Sequence, residues 1–191
     1  MLAATYTGAM SSRSEFDPAR LDVAAFAAAR GQLAGTWPLR SLARLAESSV
    51  PLADGGEDPV RWRVEGMLAP LLGAGPQPAL RIVAEVAVGL ECQRCLQRMV
   101  VPLSIDQRLF FVAGEDAAAS LDAESDDDVL SLEPAVDLKD LIEDELLLAL
   151  PLVPRHEACP APLPFEPGPE PTASEHPFAA LAALKGRSGT S

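Results

Sequence analysis

All three cysteines of the chain, and one of its two histidines, fall in two short segments about sixty residues apart. The first, Leu90-Glu91-Cys92-Gln93-Arg94-Cys95-Leu96, is a C-x2-C at the end of a strongly alternating run. The second, His156-Glu157-Ala158-Cys159, follows an acidic, Leu-rich segment closed by Pro151 and Pro154. Collecting the thiols and an imidazole in this way implies that two distant turns meet, around a metal, a reactive thiol or a shared core.

The alternation leading into the first segment is the clearest local signal. Leu80, Ile82, Ala84, Val86, Val88 and Leu90 are all even-numbered, and Cys92 keeps their parity. Two flanking runs also alternate. Trp62, Val64 and Leu68 fall on one face of a strand over 60–68, and Val101, Leu103, Ile105, Leu109 and Phe111 on one face of a strand over 101–111. A period of two over such lengths marks half-buried antiparallel strands. The C-x2-C is then the turn between the second and third. Short helices are expected over 22–29 and 38–47, the latter with Pro38 in its first turn. A longer helix opens at Asp137, a natural N-cap, with Leu138, Leu141, Ile142, Leu146 and Ala149 at helical spacing. Its acids Asp140, Glu143 and Asp144 suit the positive end of the dipole, and Glu145 sits nearest the apolar stripe.

The fold class expected is α+β: a small antiparallel sheet, partly barrel-like or open, with helices packed on it. Residues 1–15 read as a loose leader and 16–159 as the domain. Inside the domain, 114–130 reads as a mobile, disordered acidic loop, because thirteen acids and one base, Lys139, lie between Glu115 and Glu145. Seven prolines between Pro160 and Pro177 make 160–176 a disordered linker. Residues 177–187 then carry a compact helix signal with Phe178, Leu181 and Leu184 on one stripe, followed by Lys185. That stripe either folds back on the domain or docks on another molecule.

A formal net charge of −13 argues against wrapping nucleic acid electrostatically and suits a basic partner. Three cysteines are too few for a disulfide framework, which points to a reducing, cytoplasmic setting. The first residues lack the basic start and apolar core of a signal peptide, and no apolar stretch is long enough to span a bilayer. No motif for a small-molecule substrate is evident.

Four readings of the cysteines stay open. Cys92, Cys95, His156 and Cys159 form a Cys3His set suited to structural zinc. The thiols can equally be buried or idle core groups. A Cys-His nucleophile would need an oxyanion loop that no segment supplies. A redox C-x2-C would open a helix after a strand, whereas this one joins two strands.

The ordered series of motifs resembles the bacterial YceD family, the large ribosomal RNA subunit accumulation proteins. It comprises Leu90 to Cys95, Asp137-Leu138 through Pro151, Val153-Pro154 with His156 and Cys159, and Pro177-Phe178-Ala179 through Leu184-Lys185. Phe16-Asp17-Pro18 and the region from Leu33 to Leu45 are also similar. The resemblance implies a non-enzymatic factor for accumulation of 23S ribosomal RNA and large-subunit assembly. Its partner would be a large-subunit precursor, through ribosomal RNA or a basic ribosomal protein. Arg94 and Arg98 beside the cysteine turn, with Phe178, Leu181, Leu184 and Lys185, are the candidate contacts. A zinc-stabilised acidic chaperone or adaptor for a basic ribosomal protein, and a thiol-dependent redox or hydrolytic enzyme, are the alternatives.

Overall fold

The structure is a computed structural model, and it describes residues 16–52 and 58–160. The elements follow in the order α1 (Val23–Ala28), β1 (Gln32–Trp37), a 3-10 turn (Leu39–Ser41), α2 (Ala43–Glu47), β2 (Val60–Leu71), β3 (Gly75–Glu91), β4 (Arg98–Val112), α3 (Glu115–Glu124), β5 (Asp128–Ser131) and α4 (Leu138–Leu148). The strands form one five-stranded sheet in sequence order, antiparallel except for the parallel pair β4–β5. The class is α+β, as expected, but the sheet is open rather than partly closed. It is mixed because α3 serves as the crossover that a parallel pair requires.

The three alternating runs form β2, β3 and β4. On one face Val60, Trp62, Val64, Leu80, Ile82, Leu103, Ile105, Leu109 and Phe111 meet Phe26 of α1, Leu45 of α2, and Leu138, Ile142 and Leu146 of α4. Burying each large aliphatic side chain of this kind contributes about 1.5–3 kcal/mol. Asp22 caps α1 by accepting from Ala25 N at 2.9 Å, and Asp137 caps α4 by accepting from Lys139 N at 2.8 Å. A two-way backbone bridge between Leu21 and Val136 (2.8 and 2.9 Å) sets these two helix starts side by side. Gly66 lies under α1 because a Cβ there would stand 2.8 Å from the Phe26 carbonyl oxygen.

The stretch 114–130, expected to be a mobile loop, is instead α3 followed by β5. Ala69, Leu71, Ala79, Phe110, Val112 and Val129 form a second, smaller core on the opposite face of the sheet, and Ala118 of α3 closes it. Four consecutive residues, Leu109 to Val112, are buried because the sheet is covered on both faces there. The acids on α3 face solvent, while Glu115 and Asp116 lie in its first turn, favourable to the dipole. Asp122 accepts from Val129 N at 2.9 Å and ties the helix to the strand. Leu68 shares the face of Trp62 and Val64 but is 58% exposed, since the helical layer ends at Gly66. The leader 1–15, the linker beyond Pro160 and the segment 177–187 lie outside the described residues.

Candidate metal centre

Alternation along β3 delivers Cys92 to the buried side of the sheet as the strand ends at Glu91. The chain then reverses. Cys92 N donates to Gln97 O at 3.0 Å, and Leu96 N donates to Cys92 O at 2.9 Å. Leu96 takes φ of 58°, a left-handed conformation that costs a leucine about 1–2 kcal/mol. That tight reversal turns Cys95 inward, leaving it 1% exposed.

The second half arrives from the end of α4. Prolines 151 and 154 keep residues 151–156 out of helix, and the Pro154 carbonyl accepts from Gln93 N at 2.9 Å. This one bond registers the segment against the cysteine turn. His156 N then donates to Cys92 Sγ at 3.4 Å, and His156 Nδ1 lies 3.4 Å from Cys95 Sγ. Cys159 Sγ is 4.0 Å from Cys92 Sγ. The four candidate ligand atoms all fall within 4.8 Å of one another.

These separations fit zinc. With Zn–S of about 2.3 Å and Zn–N of about 2.0–2.1 Å, a tetrahedron spaces two sulfurs by about 3.8 Å and sulfur from nitrogen by about 3.5 Å. A disulfide between Cys92 and Cys159 does not fit, because their sulfurs stand 4.0 Å apart, about twice the length of an S–S bond. Four protein donors leave no coordination position open, which is the pattern of a structural site. The electrostatics favour a thiolate at Cys92. Burial pushes this thiol up, but N–H groups of His156, Arg94 and Cys95 directed at the sulfur outweigh it, bringing the pKa down to about 5. Cys159 is shifted the other way, by burial and by the neighbouring Cys95 and Cys92 sulfurs.

The structure therefore brings together all four residues of the expected Cys3His set. Arg94 and Arg98 are exposed on the same reversal, and the Arg94 backbone N–H donates to Cys92 Sγ at 3.4 Å. Arg98 also lines a small surface cavity with Pro51, Leu52 and Gly89. Phe178, Leu181, Leu184 and Lys185 lie outside the described residues. Sequence reasoning missed the backbone donors to Cys92 and the Pro154 carbonyl, which are peptide groups and carry no residue-type signal.

A model of the family described as large ribosomal RNA subunit accumulation protein YceD matches residues 80–185, spanning both cysteine segments. A protein of that name from Haemophilus influenzae is 32% identical over 159 residues, covering 79% of this chain and 86% of that protein. No solved structure matches. With both cysteine segments inside the matched span, this chain belongs to the YceD family.

Proposed function

We propose that this chain is a non-enzymatic ribosome-biogenesis factor of the cytoplasm that supports accumulation of 23S ribosomal RNA through large-subunit assembly. Family membership supports this reading, because the family and the Haemophilus protein share the name large ribosomal RNA subunit accumulation protein. Zinc held by Cys92, Cys95, His156 and Cys159 would act structurally, joining the β3–β4 reversal to the segment after α4. A set of four protein donors, with Cys92 and Cys95 buried and His156 and Cys159 half-buried, supports a fold-holding role over a catalytic one. Neither buried cysteine lines the groove of about 290 Å³ formed by residues of β1, β2 and β3. Arg94 and Arg98, and beyond the described residues Phe178, Leu181, Leu184 and Lys185, are the proposed contacts to the large-subunit precursor.

A second reading, an adaptor for a basic ribosomal protein, draws on the ordered acidic surface of α3. It requires salt-sensitive binding of such a protein without RNA. The primary reading is tested by depleting the protein in its own cells and measuring 23S against 16S ribosomal RNA. The ratio should fall and be restored by the wild-type chain but not by an Arg94→Glu/Arg98→Glu double variant of normal stability. An unchanged ratio on depletion overturns the reading.

A further inference from the structure

The two edges of the sheet are unlike. β5 has four residues and starts with a carboxylate, so it offers a poor template for pairing. At the other edge β1, Gln32-Leu33-Ala34-Gly35-Thr36-Trp37, has six residues with no charge and no proline. It lacks the usual devices that discourage edge pairing.

The phase of its ladder is fixed by one bond. Gly66 N donates to Gly31 O at 2.9 Å, and the register continues as Leu33↔Val64, Gly35↔Trp62 and Trp37↔Val60. Hydrogen-bonded and non-bonded pairs alternate in an antiparallel ladder. Leu33, Gly35 and Trp37 therefore turn their peptide groups to β2. Gln32, Ala34 and Thr36 turn theirs to the open edge, and among the described residues none of these three bonds to another element.

The side chains behind the edge select what fits. On the uncovered face, Ala34 stands in front of Arg63 and Thr36 in front of Arg61. Arg63 makes no ion pair among the described residues, and Arg61 has only a 3.6 Å contact with Asp58. Both arginines line the groove of about 290 Å³ with Ala34, Gly35, Val83 and Glu85. On the other face the buried Trp62 ring packs directly against Gly35, since a Cβ there would stand 2.9 Å from it. Among the described residues, Trp62 Nε1 is buried without an acceptor.

We propose that the open edge of β1 takes up an extended acidic segment of a partner protein as a sixth strand. The peptide groups of Gln32, Ala34 and Thr36 would supply the ladder. Carboxylates facing Ala34 and Thr36 would reach Arg63 and Arg61. A small side chain facing Gly35, where the unbonded pairing brings side chains closest, would pack beside the Trp62 ring. This proposal is independent of the metal centre and of the ribosomal reading.

The test is amide hydrogen exchange by NMR on the full-length protein, with two blocked peptides as probes, Val-Glu-Thr-Glu-Val and Val-Lys-Thr-Lys-Val. In the free protein the amides of Gln32, Ala34 and Thr36 should exchange at least about tenfold faster than those of Leu33, Gly35 and Trp37. Saturating acidic peptide should slow the first three severalfold, and the lysine peptide should not. Arg63→Glu should reverse that preference. Ala34→Pro, which removes the central outward N–H, should abolish protection; its melting curve reports whether it stays folded, and Arg63→Glu tests the proposal if it does not. Equal protection by both peptides, or none by the acidic one, overturns the proposal. So does protection without peptide: growing with protein concentration it assigns the edge to a second copy, and independent of concentration to another segment of this chain.

Discussion

Glu143 is the one buried charged side chain among the described residues, and its surroundings explain why α4 tolerates it. Oε1 accepts from Leu45 N at 3.0 Å, while Oε2 accepts from Arg44 Nε and Nη2 at 3.2 and 3.1 Å. One carboxylate thus satisfies a buried peptide N–H and fixes α2 against α4. Asp144 adds a second contact to the same guanidinium and holds the Arg44 pKa above its ordinary value. Glu143→Ala leaves the Leu45 N–H orphaned and should cost about 2–4 kcal/mol in urea unfolding, whereas Glu143→Gln keeps that acceptor and should cost about 1 kcal/mol. Glu145 has the opposite environment. Burial, then Asp128 and Asp144, raise its pKa above the ordinary carboxylate value. The folded state therefore holds this proton more tightly than the unfolded chain. Ionising Glu145 destabilises the fold above its folded pKa, and the penalty vanishes as pH falls below the unfolded value. Glu145→Gln should raise the melting temperature slightly at pH 7 and leave it unchanged near pH 4, as read from thermal melts across that range.

The most informative element is α3, because composition and packing disagree about it. Ala118 is 3% exposed over the second core, while Ala119 faces solvent. Ala118→Asp should cost several kcal/mol, of order 2–4, and Ala119→Asp less than about 0.5 kcal/mol, by denaturant midpoint. Equal effects would restore the mobile loop. The density of acid concealed this helix in the sequence, since its apolar side needs little more than Ala118 and Leu121 against an already formed sheet. β1 was hidden for a related reason: an edge strand with a single buried residue, Leu33, has no alternation to read. The runs that became β2, β3 and β4, and the capped α4, were legible because each buries one full stripe. The convergence of Cys92, Cys95, His156 and Cys159 was legible as a grouping of residue types. Its geometry was not, since the Pro154 carbonyl and the left-handed Leu96 set it. The burial of Glu143 was not legible, because its N–H partner on α2 lies 98 residues away in sequence.

For the molecule as a whole, the candidate metal centre joins the far end of the β3–β4 hairpin to the chain leaving α4. Linking Cys95 to His156 spans 61 residues. A cross-link closing a loop of about 60 residues removes about 4 kcal/mol of unfolded-state freedom. Purified protein should carry about one equivalent of zinc by elemental analysis. Stripping the zinc with a strong chelator should lower the melting temperature by roughly 10 °C. Cys159→Ser should show much of that loss and respond little to chelator. Metal-free protein that melts at the same temperature would leave the thiols as core packing.

The order of the four donors along the chain also has a temporal side. His156 emerges 61 residues after Cys95, and Cys159 emerges 67 residues after Cys92. At the usual 5–20 residues per second that is a lag of about 3–13 s during synthesis. Throughout it the hairpin presents half a site, open to a stray metal or an oxidant. Closure waits until α4 has been made and has settled on the sheet, so a closed centre marks a chain whose middle and later parts have already met.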